Sequence, residues 1–99
     1  MKDNYIISKD AENDLQEIGD FIALDNPDAA STLIDKFTEG FERTVLMPEI
    51  GYKKPEWTKK DIRFLSIKKY IIVYQINDKG ITILRILSNY RDITGLLDY

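Results

Sequence analysis

Three apolar runs crowd into the stretch from Asp61 to Asp92, DIRFLSIKKYIIVYQINDKGITILRILSNYRD, and restrict the fold more than any other part of the chain. Ile62–Ile67, Tyr70–Ile76 and Ile81–Leu87 are rich in Ile, Val, Tyr and Phe, side chains that fit a pleated surface. Asn77-Asp78-Lys79-Gly80 separates the second run from the third, and Gly80 can supply the positive φ that such a turn needs. Ser66–Tyr70 joins the first two runs more tightly. The spacing predicts an antiparallel three-stranded meander. Strict alternation then sorts the last strand into two faces, Ile81, Ile83, Arg85 and Leu87 against Thr82, Leu84, Ile86 and Ser88. An arginine among apolar residues either reaches out at a sheet edge or lines a site.

A sheet of this kind needs cover, and the first half of the chain supplies it. Asn4–Ser8 is long enough for one strand. Ser8 then reads as a helix N-cap, with Asp10, Glu12 and Asp14 in the first turns, where carboxylates suit the positive end of the helix dipole. Ala11, Leu15, Ile18 and Ile22 recur at spacings of 4, 3 and 4, with Phe21 beside them, which makes one apolar stripe. Gly19 near that stripe is expected to let a second helix come close. Asp25-Asn26-Pro27 breaks the helix; Asn26 caps the next one and Pro27 fits its first turn. Ala30, Leu33, Ile34, Phe37, Phe41 and Val45 form the second stripe, and Pro48 stops the helix near Met47. The result is an αα-hairpin whose stripes have only the sheet to bury against. The expected fold is α+β: an N-terminal strand, a helical hairpin, then a meander forming one sheet with the first strand, all in a single domain over residues 1–99.

The chain has no cysteine and no histidine, which removes disulfides, thiol chemistry and the commonest general base and metal ligand. No phosphate-binding glycine loop or metal cluster stands out, so no cofactor and no metal is expected. The N-terminus is acidic and lacks a long apolar core, and no run of about 18 apolar residues occurs, so a cytoplasmic protein with no membrane span is expected. The net charge of −3 conceals an asymmetry: residues 1–47 carry 4 cations against 11 carboxylates, and residues 48–99 carry 10 against 6. The helical half is therefore −7 and the sheet half +4. Either these are two solvated faces of opposite sign, or the sheet half presents a surface for an acidic partner.

The residues left for function are cationic and aromatic. Pro48–Lys60, the one long irregular segment, holds Tyr52, Lys53, Lys54, Trp57, Lys59 and Lys60. Arg63, Arg85, Tyr90 and Arg91 are expected in the sheet or just after it, with Arg91 where the mouth of the sheet would open. Arginines with tyrosines bind phosphates and stack on bases, and they also dominate protein interfaces. Arg63 and Arg85 could equally be structural ties to a carboxylate or carbonyl. Tyr70 and Tyr74, four apart on one strand face, read most simply as core aromatics.

Tyr70-Ile71-Ile72-Val73-Tyr74, then Ile83-Leu84-Arg85-Ile86-Leu87 ending in Arg91-Asp92, resembles the C-terminal signature of the RelE/ParE toxin superfamily. Upstream, Ala11, Asp14-Leu15, Ile18, Phe21-Ile22, Ala30, Phe41, Pro48 and Gly51 are similar to its helical hairpin and P-x-x-G turn. The resemblance covers nearly the whole chain in order. It implies an antiparallel sheet with an N-terminal strand and a packed α-hairpin. It also implies a toxin of a type II toxin–antitoxin pair, held in a hetero-oligomer by an antitoxin whose C-terminal segment wraps the toxin; on charge, acidic residues of that segment are expected to meet Lys53, Lys54, Arg63 and Arg85. RelE-like members are ribosome-dependent mRNA endonucleases; on that branch Arg63, Arg85, Tyr90 and Arg91 would be the catalytic candidates. ParE-like members inhibit DNA gyrase and have no hydrolytic site. Arg85-Ile86-Leu87-Ser88-Asn89-Tyr90-Arg91-Asp92 is similar to the ParE string, with Ser88 in place of its usual histidine. The ParE branch is therefore expected, with Lys53, Lys54, Trp57, Arg63, Arg85, Tyr90 and Arg91 as contacts to target or antitoxin; the alternatives are the RelE-like endonuclease and a non-toxic binding module that only engages the antitoxin.

Overall fold

The structure is a computed structural model, described here for residues 5–56, 59, 61–78 and 80–88. The elements follow the expected order: β1 (Tyr5–Ile7), α1 (Lys9–Ala23), α2 (Pro27–Leu46), β2 (Arg63–Ile67), β3 (Tyr70–Asn77) and β4 (Gly80–Leu87). Both helix starts carry the caps that their sequences announce. Ser8 Oγ accepts from the Ala11 amide at 3.0 Å, and Asn26 Oδ1 accepts from the Ala29 amide at 3.1 Å. Ser8 also donates to the Leu84 carbonyl at 2.9 Å, so the start of α1 is pinned to β4.

The strands form one sheet in the order β1-β4-β3-β2. β2, β3 and β4 make the antiparallel meander. Gly80 turns the second hairpin at φ 107°, and Lys68 turns the first at φ 54°. β1 joins the other side of β4 in parallel, pairing Tyr5 with Ile81 and Ile7 with Ile83, so the sheet is mixed. A parallel neighbour needs a long crossover between the two strands, and the hairpin and meander provide one.

The helices cover one face of the sheet. Ala11, Leu33, Phe37 and Phe41 pack there with Leu65, Ile67, Tyr70, Ile72, Tyr74, Ile81, Ile83 and Ile86. Phe37 meets Tyr70 edge to face at 5.4 Å between ring centres. The opposite face has its own buried group, Ile62, Phe64, Ile71, Val73 and Leu87, with Tyr52 and Leu84 against it. β3 is thus buried on both faces over Tyr70–Tyr74, which explains its unbroken apolar run.

Two expectations are corrected. Strict alternation fails in β4 because the register shifts between Val73 and Tyr74: Val73 pairs with Arg85, Tyr74 with Ile83, and Leu84 is the extra residue. One inserted residue reverses the phase of all that follow. Ile86 therefore joins Ile81 and Ile83 on the helix side, while Leu84 and Leu87 face the other core. Gly19 is not required by close helix packing, since a Cβ placed there would lie 3.8 Å from Ile34 Cδ1, an ordinary contact. The crowded helical glycine is Gly40, where a Cβ would come within 3.0 Å of Ile72 Cδ1 and 3.1 Å of Ile67 Cδ1. Gly19→Ala is accordingly expected to stabilise the protein by about 1 kcal/mol through helix propensity. A urea denaturation midpoint that fell instead would show that the α1–α2 contact cannot accept a methyl group.

Candidate functional site

The segment after α2 is shaped by one buried phenol. Tyr74 is fully buried at the centre of β3. Its hydroxyl donates to the Pro48 carbonyl at 2.6 Å and accepts from the Gly51 amide at 2.8 Å. Arg63, at the start of β2, donates from Nη1 to the Gly51 carbonyl at 2.8 Å and lies 3.5 Å from the Glu49 carbonyl. Tyr52 and Phe64 exchange two backbone hydrogen bonds of 2.9 Å, so the segment continues along the β2 edge. The P-x-x-G turn is thus held from both ends. Burial pushes the Tyr74 hydroxyl above its usual pKa, opposed by the Gly51 N–H and the Arg63 charge. Beside this turn Met47, Pro48, Glu49, Ile50 and Ile76 line an open groove of about 430 Å³. Its walls are mainly apolar, which suits a partner side chain better than a polar substrate.

The second ordered centre joins the two ends of the chain. Arg85 Nε and Nη2 donate to the two carboxylate oxygens of Asp14 at 2.8 and 3.0 Å. The Ile86 amide donates to the same Asp14 carboxylate at 2.9 Å. β1 has ended at Ile7, so past Ile83 the β4 backbone meets Asp14 where a strand carbonyl would otherwise stand. The Asp14 side chain is 13% exposed and that of Arg85 28%, so the pair is largely withdrawn from water.

Four of the seven expected contact residues fall within the described part. Arg63 and Arg85 are structural ties, one to the turn and one to α1. Lys53 pairs with Asp61 at 3.0 Å, and Lys54 with Glu56 at 3.7 Å while its ammonium sits 5.6 Å from the centre of the Tyr52 ring. These two ion pairs are at the surface and worth little in themselves. Trp57, Tyr90 and Arg91 lie outside the described residues. These four cations serve different local partners: Asp61, Glu56, the Gly51 carbonyl and Asp14. Sequence reasoning missed Asp14, which it assigned to the helix dipole. The signal was present: Asp14 lies three residues after Ala11 and four before Ile18, on the buried side of α1, where a carboxylate needs a partner.

Among the described residues no helix is long and apolar enough to cross a membrane. The model of the ParE toxin family, toxins of the type II toxin–antitoxin system parDE, matches residues 5–93. Ten chains of solved structures also match. One, from a chromosomal ParDE TA system of P. aeruginosa, superposes with a TM-score of 0.71 and 21% identity, covering 86% of this chain and 94% of its own. At that identity the likeness is one of fold. No curated protein matches the chain in sequence.

Proposed function

The chain belongs to the ParE toxin family of type II toxin–antitoxin systems, and from that premise we propose that it inhibits DNA gyrase in the cytoplasm and is neutralised by a cognate antitoxin. The observation that carries the choice of target is the position of the two strand arginines. A nuclease needs cations converging on the scissile phosphate to stabilise the charge that develops there. Arg63 instead serves the Gly51 carbonyl and Arg85 serves Asp14. What the described surface offers is binding chemistry, with an apolar groove beside a fixed turn. For an acidic antitoxin, Lys53 and Lys54 are the accessible cations, whereas Arg63 and Arg85 already meet a carbonyl and a carboxylate of their own chain.

Purified toxin added to gyrase is expected to abolish supercoiling, and equimolar antitoxin to restore it. Expression in cells should cause DNA breaks and growth arrest with messenger RNA intact. Unchanged supercoiling at micromolar excess of toxin would overturn the gyrase assignment. Rapid message cleavage in arrested cells would move the activity to the endonuclease branch.

A further inference from the structure

Residues 10–35 carry eight carboxylates and no lysine or arginine. Where α1 turns into α2, this acidic stretch presents two large apolar side chains to water: Phe21 is 76% exposed and Leu24 87%. They are three residues apart and so lie on one face of the helix end. Neither belongs to the core, whose α1 contacts come from Ala11, Leu15, Ile18 and Ile22. Exposed Glu17 and Asp20 stand one turn before them, and exposed Asp25 and Asp28 follow. An apolar pair ringed by one sign of charge is a poor arrangement for folding and a suitable one for recognition.

We propose that this hairpin tip inserts Phe21 and Leu24 into an apolar recess rimmed by lysines or arginines on the protein target of the toxin. The inference rests on the reading of the chain as a toxin. Shape favours a folded target over a wrapping segment. Side chains this exposed have no walls beside them, so the tip is a knob and needs a hollow. An extended antitoxin segment is better served by a groove such as the one beside Pro48. Charge argues against a second copy of this chain. Two such tips face to face would oppose like charges, which disfavours a symmetric contact between copies through this tip. A basic rim supplies the complement, steering the encounter while the two apolar anchors hold it.

The test uses the full chain carrying Phe21→Ser and Leu24→Ser together, beside a second variant carrying Asp20→Asn and Asp25→Asn. Each is compared with wild type for inhibition of gyrase supercoiling, growth arrest on induction, antitoxin affinity and thermal midpoint. The serine variant is expected to inhibit at least about tenfold more weakly, with antitoxin affinity and thermal midpoint unchanged. The asparagine variant is expected to associate more slowly and to depend less on salt. Undiminished inhibition and arrest by the serine variant would overturn the proposal. So would a selective loss of antitoxin binding, or a wild-type dimer that the substitutions dissolve; an unchanged salt dependence would overturn the basic rim. Wild type that arrests growth without touching gyrase defeats the gyrase assignment alone, because arrest still reads the tip. Wild type that arrests nothing defeats the toxin reading, and this inference with it.

Discussion

Asp14→Ala is expected to destabilise the protein by about 3 kcal/mol, even though alanine is the better helix former at an ordinary helical position. The carboxylate does two jobs. It accepts both Arg85 donors, at 2.8 and 3.0 Å, and it accepts the Ile86 amide at 2.9 Å. Its removal takes the carboxylate from a half-buried guanidinium and the acceptor from a backbone N–H on the central part of the sheet. Asp14→Asn keeps one oxygen for the amide and loses the charge, so its effect should fall between wild type and alanine. Arg85→Lys should recover little, because an ammonium cannot make the two parallel bonds of a guanidinium. Urea denaturation checks the series: the midpoint should shift while the slope stays the same. A cost below about 0.5 kcal/mol for Asp14→Ala would mean that the pair behaves as an exposed surface bridge, and that β4 is held by its strand neighbours alone.

Gly51→Ala is the other substitution with a large expected effect, about 3 kcal/mol of lost stability. A Cβ at position 51 would stand 2.6 Å from both Cε1 and the hydroxyl of Tyr74, and 3.0 Å from the Phe64 carbonyl. Tyr74 is walled in by the core, and the carbonyl belongs to the backbone, so none of the three can yield cheaply. Tyr74→Phe approaches the same turn from the other side. It removes the acceptor of the Gly51 amide and the donor to the Pro48 carbonyl, at an expected cost of about 2 kcal/mol. The phenol also predicts a pH dependence. The folded pKa is raised above the usual value near 10, mainly by burial, so the folded protein keeps a proton that the unfolded chain gives up. Stability is therefore intact below about pH 10 and is lost as pH rises from there through the folded pKa. Phenolate absorbance should show a late-titrating tyrosine in wild type that Tyr74→Phe lacks. If all tyrosines of the native protein titrate together near 10, the hydroxyl is not held as described.

Local signals determined the elements. Ser8 and Asn26 are caps because a short polar side chain can reach an amide three residues on, and that reach is written in neighbouring residues. Pro48 stops α2 and Gly80 turns the chain into β4 through their own backbone limits, and the Ile-rich runs read as strands for the same local reason. The co-linear spacing of these signals also carries the resemblance to the family. The tertiary structure alone decided what depends on distant partners. The parallel seat of β1, the bulge at Leu84, the Asp14–Arg85 pair and the Tyr74 clamp on Gly51 each join segments far apart in sequence. Among the candidate contacts, Arg63 and Arg85 read from the sequence as either ties or site residues, and the structure gives each a partner within the chain, the Gly51 carbonyl and Asp14. Phe21 shows the same division. Its spacing put it beside the buried stripe, but the stripe is narrower than the helix surface, and which side meets the sheet is fixed by the angle at which α1 is pinned through Ser8 and Asp14.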